Sequence, residues 1–168
     1  MRTRIILICF SLLIIGLLVF IVANKHRNKD SKIKELPDFE IPIYGSNKLY
    51  SDINETQANY TVVIFFSPDC DYCDDEISGI LNSNLSTDEV KWIFITNPMV
   101  VSELPLFLQR NPTSQLENSD ILIDSSFRYH NLFGVMAPPA SFVFKKGKLQ
   151  DSYLHFVSAD KLIQKLTK

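Results

Sequence analysis

The sequence predicts an α/β sandwich with a mixed central sheet, preceded by one N-terminal transmembrane helix. Three observations carry that expectation. Short β-branched and aromatic runs alternate with stretches of helical periodicity, and the alternation closes on a hairpin and a last helix, which is how a sheet covered by helices is written. An uninterrupted apolar run, Ile5 to Ala23, stands apart from the rest. The stretch from about Leu36 to the C-terminus is long enough for one hydrophobic core and too short for two.

Arg2 and Arg4 precede the apolar run, whose length is roughly the twenty residues that a membrane-spanning helix needs. A cleavable export signal has a shorter core, about 7–15 residues, ending at a small-residue site. Ile21-Val22-Ala23 is a poor version of that site, and Cys9 follows Ile8, not a small residue, which argues against lipid attachment. The expected organisation is an uncleaved signal-anchor at residues 1–24, a polar Lys-rich tether at residues 25–35, and one folded domain at residues 36–168. Lys25, Arg27, Lys29, Lys32 and Lys34 outnumber Arg2 and Arg4, a bias that by itself holds a domain inside. A very short basic tail before the apolar core is nevertheless how export signals begin, and long domains translocate largely regardless of charge. The domain is therefore expected on the non-cytoplasmic side.

Within the domain, a short strand is expected near Phe39–Ile43, then a Gly45-Ser46-Asn47 turn leading to Lys48–Tyr50. Thr61-Val62-Val63-Ile64-Phe65-Phe66 reads as a buried central strand over about Tyr60–Phe66. Cys73, Ile77, Ile80 and Leu81 recur at helical spacing and predict a helix over about Cys70–Asn82. A strand at Val90–Thr96 turns Val90, Trp92, Phe94 and Thr96 to one side and Lys91, Ile93 and Ile95 to the other. The helix around Ser102–Arg110 tolerates Pro105 only in its first turn. After a loop at Asn111–Ser119 come a strand at Ile121–Asp124 and a helix at Ser125–Phe133. Ser141–Phe144 and Leu149–Tyr153 are joined by the Lys145-Lys146-Gly147-Lys148 turn, and Ser158 is placed to cap a helix carrying Leu162, Ile163 and Leu166.

The formal net charge of −2 comes with no basic patch, so nothing points to nucleic acid. Of three cysteines, Cys9 lies in the apolar run, leaving Cys70 and Cys73 in the domain. A pair three residues apart closes a ring too small to staple a fold. Strand, Ser67-Pro68-Asp69 turn, then two cysteines on a helix N-terminus is instead the geometry of a redox-active dithiol. The helix end supplies N–H groups and a positive dipole end that favour a thiolate on the first cysteine. The second, one turn in on the apolar face, is sheltered.

Phe65-Phe66-Ser67-Pro68-Asp69-Cys70-Asp71-Tyr72-Cys73 resembles the active-site stretch of membrane-anchored or exported thioredoxin-like proteins of the TlpA/redoxin type. Phe133-Gly134-Val135-Met136-Ala137-Pro138-Pro139-Ala140-Ser141-Phe142-Val143-Phe144-Lys145-Lys146-Gly147 is similar to the segment carrying that family's cis-proline and running into its hairpin. Leu36-Pro37-Asp38-Phe39 and Leu49-Tyr50-Ser51-Asp52-Ile53 also resemble its lead-in to the central strand. The resemblance implies a thioredoxin-like three-layer sandwich and thiol–disulfide exchange, with Cys70 the attacking thiol, Cys73 the resolving thiol and Pro139 the cis-proline. Asp71, Tyr72 and Pro138 are the residues expected to face a substrate. Relatives offer a backbone N–H and C=O before the cis-proline to an extended segment, and Pro138 has no N–H to give. Neither a cofactor nor a metal is implied. The implied partners are disulfide-containing exported proteins and an upstream dithiol electron donor.

Two features set the chain apart from that pattern. Asp69, Asp71, Asp74, Asp75 and Glu76 crowd the motif; Asp71, Asp74 and Asp75 are expected on the solvent face opposite Ile77, where acids suit a first helical turn. Their charge opposes a thiolate, which favours a reductant over an oxidant. The buried acid of many thioredoxin central strands is absent, with Ile64 or a neighbour in its place. Other readings are weaker. A zinc site lacks a second Cys/His pair, since His26, His130 and His155 are scattered. A peroxidase nucleophile wants Pro and Thr where Val63 and Ser67 stand. The alternatives that stay open are copper delivery recruiting His155 beside the two cysteines, and a binding module whose disulfide is merely structural.

Overall fold

The structure, a computed structural model, describes residues 33–52, 58–83 and 89–166. The expected anchor and most of its tether lie outside these residues, and among the described residues no helix is long and apolar enough to cross a membrane.

Chain order is β1 (Tyr60–Phe65), α1 (Asp71–Leu81), β2 (Val90–Thr96), α2 (Leu104–Arg110), β3 (Ser119–Ile123), α3 (Arg128–Phe133), β4 (Ala140–Lys145), β5 (Lys148–Tyr153) and α4 (Ala159–Ile163). The strands make one mixed sheet in the order β3-β2-β1-β4-β5. β1 is parallel to β2 and β2 to β3, while β4 runs antiparallel to both β1 and β5. All six residues of β1 are buried, as a central strand covered on both faces requires.

The pleat sends alternate side chains into two separate cores. Val62, Ile64, Trp92, Phe94 and Val143 meet Cys73, Ile77 and Ile80 of α1, Leu104 and Phe107 of α2, and Leu162 of α4. Val63, Phe65, Ile93, Ile95, Phe142 and Phe144 meet Tyr129 and Phe133 of α3, with Phe39, Ile41 and Tyr50 from the lead-in. The alternation expected in Val90–Thr96 is the one observed. Phe133 is the hub of the second core: its ring lies 5.0 Å from Phe65 and 4.7 Å from Phe142, the latter edge-on at 75°.

Local chemistry sets the ends of the elements. Asn97 accepts the Met99 N–H at 3.0 Å and opens a 3₁₀ stretch, Pro98–Glu103, so α2 begins later than expected, with Pro105 in its first turn. The β4–β5 hairpin turns on Lys146 and Gly147, both at positive φ (50° and 76°), the requirement of a two-residue turn matched to strand twist. The described part of the lead-in, residues 33–52, forms no strands: Pro42↔Leu49 and Ile43↔Leu122 are isolated bridges, because Pro42 has no N–H for a ladder. α3 is shorter than expected. Phe127 sits in the left-handed region, and the Asp124 carboxylate reaches past it to accept the N–H groups of Tyr129 and His130, each at 2.9 Å. Ser158 stands at the start of α4, yet its side chain makes no capping bond there.

Removing the hub should be felt globally. Phe133→Ala is expected to destabilise the domain by about 3–5 kcal/mol through lost burial and an aromatic-lined cavity, seen as a lowered urea midpoint with unchanged slope.

Candidate active site

The register of β4 against β1 pairs Phe65 with Ala140. The residues leaving β1 therefore meet the residues entering β4, and Cys70 comes beside Pro138 although 68 positions separate them. The Cys70 sulfur lies 4.0 Å from the Pro138 carbonyl oxygen. The Pro138–Pro139 bond is cis, as the resemblance implies; Pro139 is buried and Pro138 exposed.

Cys70 is the N-cap of α1 rather than its first residue, with φ −107° and ψ 111°. Its sulfur accepts the Cys73 N–H at 3.3 Å, one of the donors that a helix start leaves unpaired. Cys70 is half-buried, whereas Cys73, one turn in, is fully buried beneath it. Both are free thiols. Burial pushes the Cys73 thiol well above the usual thiol range; the Cys70 side chain adds to this, and the nearby Glu76 charge contributes.

Glu76 is the site residue whose part sequence reasoning misses. Its neighbours group it with the acids crowding the motif, but it is 1% exposed and sits on the inner side of α1. The Ser141 hydroxyl of β4 donates to Oε1, and the Val157 N–H donates to Oε2 at 3.1 Å. Ile64 does occupy the central strand and no acid stands there, but a buried acid on the helix, three residues after Cys73, puts its charge near that thiol instead. A signal exists in the spacing: Glu76 lies three residues after Cys73 and one before Ile77, within the stripe that faces the core. Burial raises the Glu76 pKa, and the bonds from Ser141 and Val157 oppose the rise.

The remaining acids divide. Asp71 and Asp75 are exposed as expected. Asp74 is tied down, accepting from the Asn111 amide and lying 3.5 Å from the Arg110 guanidinium. Asp69 accepts from the Ser67 hydroxyl. Tyr72 is 64% exposed, with its ring 5.8 Å from that of Phe156, a residue that the sequence alone does not single out. His155 is exposed, and among the described residues no three His, Cys, Asp or Glu side chains gather as a metal site would need.

A mixed five-stranded sheet between helices, with a dithiol on a helix start facing a cis-proline, is a thioredoxin-like fold. Solved structures share the fold. A thiol:disulfide interchange protein DsbE described as putative, from Chlorobium tepidum, is 20% identical and matches with a TM-score of 0.63 over 80% of this chain and 94% of its own. Mycobacterium tuberculosis DsbF is 19% identical, with a TM-score of 0.61 over 79% and 97%. A secreted M. tuberculosis disulfide oxidoreductase homologous to E. coli DsbE is 18% identical, with a TM-score of 0.56 over 66% and 82%. No protein-family model and no curated protein matches the chain.

A carboxyl whose pKa is raised on folding stabilises the fold below its unfolded value, and that contribution is lost as pH rises through the folded value. Glu76→Gln keeps an acceptor for the Val157 N–H and removes the buried charge. Its melting temperature should exceed the parent's at pH 8, the difference closing toward about pH 4. Glu76→Ala strands the Ser141 and Val157 donors and should instead lose about 1–3 kcal/mol at about pH 4, the deficit shrinking as pH rises and the parent carries the buried charge. Thermal melts of the three proteins across pH check both.

Proposed function

We propose that the chain is a membrane-tethered thiol–disulfide oxidoreductase that reduces disulfides of exported proteins. The observation that carries this reading is the division of the dithiol: a half-buried Cys70 on the helix start beside the Pro138 carbonyl, and a fully buried Cys73 behind it. Neighbours of the same fold bear the names disulfide oxidoreductase and thiol:disulfide interchange protein.

In the forward direction, the Cys70 thiolate attacks one sulfur of the partner's disulfide. That S–S bond breaks, the other partner sulfur leaves as a thiolate, and a Cys70–partner mixed disulfide remains. Cys73 then loses its proton and attacks the Cys70 sulfur, expelling the second partner sulfur as a thiolate, and both partner thiolates take protons from solvent. Two electrons have passed, leaving the partner a dithiol and the pair Cys70–Cys73 a disulfide. The Cys73 proton must leave a dry site, and Glu76 is the nearby buried carboxylate that can take it. The helix start and the Cys73 N–H stabilise the first nucleophile. Pro139 shapes the wall beside the dithiol, and Asp71, Tyr72 and Pro138 face the partner. An upstream dithiol donor returns the pair to the reduced form.

Trapping and labelling test the roles. Cys70 should be alkylated roughly tenfold faster than Cys73, or more, in the reduced protein, since the sulfur on the helix start is within reach of a reagent and the one behind it is fully buried; mass spectrometry of the partly labelled chain reads the ratio. Cys70→Ala should abolish disulfide reduction, and Cys73→Ser should accumulate partners as mixed disulfides in the native host. Equal labelling, or no trapped species, would remove the assignment.

The tether rests on the apolar run from Ile5 to Ala23. The full-length protein is expected to stay with membranes through a carbonate wash and to be cleaved by protease added from the non-cytoplasmic side. Protection from that protease would place the domain inside and leave the exchange chemistry standing.

A further inference from the structure

Exposed large apolar side chains occur on the segments that meet at Cys70: Tyr72 follows it on α1, Met136 precedes Pro138, and Phe156, two residues after Leu154, packs against Tyr72. Tyr72 is 64% exposed, Met136 97%, Leu154 52% and Phe156 39%. Tyr72 and Phe156 lean on each other at 46°, Tyr72 staying mostly exposed and Phe156 keeping a good part of its surface open. Phe156 is held in place by its neighbour, since Val157 is buried and its N–H is bonded to Glu76. The pair is therefore a fixed aromatic ledge on a segment remote in sequence from the dithiol.

Backbone recognition at this site is incomplete. Pro138 presents a carbonyl beside Cys70 and has no N–H, so a docking segment gains one hydrogen bond there, not a reciprocal pair. Side-chain contact must supply the rest. Asp71 and Asp75 lie one turn apart on the exposed side of α1, flanking Tyr72 in sequence, and like charges at that spacing repel. Among the described residues no salt bridge reaches either of them; the nearby Arg110 is engaged with Asp74. Exposed aromatic surface bordered by unrelieved negative charge complements one chemistry: an apolar anchor accompanied by a cation.

We infer that Tyr72 and Phe156 are the docking ledge for the segment flanking the partner's cysteine, and that this segment is extended and carries a large apolar side chain and a Lys or Arg close to that cysteine. The inference rests on the exchange reaction proposed above and names its substrate class. The apolar side chain lies on the two rings, the cation relieves the Asp71–Asp75 repulsion, and the segment's N–H meets the Pro138 carbonyl. A partner with acids beside its cysteine is disfavoured by the same charges.

The test uses the reduced full-length chain in a neutral detergent. Three peptides each carry one cysteine as a mixed disulfide with nitrothiobenzoate, differing only beside the cysteine: Lys with Phe, Glu with Phe, and Lys with Gly. At low ionic strength the Lys-Phe peptide should release the coloured thiolate about tenfold faster than its Glu-Phe twin, the gap shrinking in about 1 M salt, where screening reaches within about 3 Å. It should also outrun the Lys-Gly peptide severalfold. Phe156→Ala should bring the Phe-to-Gly ratio toward one, and Asp75→Asn should narrow the Lys-to-Glu ratio. Equal rates for the three peptides with the parent protein would overturn the inference while leaving exchange intact. Failure of all three to react would remove the exchange reading as well. Self-association of the full chain that Phe156→Ala abolishes would give the ledge to a second copy and likewise overturn it.

Discussion

Glu76 leaves α1 on its buried side and gives its two oxygens to different elements, Oε1 to the Ser141 hydroxyl of β4 and Oε2 to the Val157 N–H beyond β5. Ile77 and Ile80 could dock α1 by apolar burial alone, but such burial tolerates rotation and slippage, and a carboxylate with two fixed donors does not. This anchoring holds the register of the helix on the sheet. With that register set, Cys73 falls fully inside and Cys70 falls at the surface, so the unequal environments of the two thiols come from the seating of the third side chain. The same carboxylate fixes the segment carrying Phe156, so the reacting sulfur and the surface around it share one mooring.

The sheet provides the other half of the arrangement. Because β4 runs antiparallel to β1 and starts opposite its end, Pro138 and Pro139 arrive where the chain leaves Phe65. No loop has to reach across the molecule to bring them there. The acids around the motif are likewise sorted by their partners rather than by their number. Asp74 is drawn toward Arg110 and Asn111, Asp69 toward Ser67, and Glu76 toward the interior, which leaves Asp71 and Asp75 as the charge presented to a docking partner. Because both are exposed, their field is screened over about 8 Å at physiological salt, so it acts on a segment in contact with the ledge and little beyond.

Much of this architecture is written locally. The continuous apolar run of β1, the two-sided alternation of β2, the periodic Cys73-Ile77-Ile80 stripe and the Lys146-Gly147 turn each fix a conformation from nearest neighbours, and each is found in place. The lead-in misleads because Phe39–Ile43 has the composition of a strand while Pro42 denies it a ladder, leaving bridges only. Glu76 misleads for a different reason. A glutamate amid four aspartates reads as solvated charge, and what draws it inward is 65 residues away in Ser141 and 81 away in Val157. Burial of a carboxyl is decided by whether donors wait for it, and no window along the helix contains them. The Tyr72–Phe156 contact is hidden in the same way, by a separation that only the path of β5 closes.

The donors around Glu76 differ in what they allow. A backbone N–H such as that of Val157 can only donate, so it always asks for a lone pair on Oε2. The Ser141 hydroxyl can donate to a carboxylate or rotate to accept from a carboxylic acid. The network therefore stays satisfied whether or not Glu76 carries a proton, with Oε1 as the oxygen that changes role. That matters beside Cys73, whose thiol is held protonated first by burial, with the Cys70 side chain and the Glu76 charge adding to it. Two negative groups cannot share that dry space at low cost. In the exchange proposed above, a proton passing from Cys73 to Glu76 would keep the count of buried charges at one, exchanging a carboxylate for a thiolate. The hydroxyl at position 141 thus gives the buried acid freedom to change protonation state without loosening the helix that it seats.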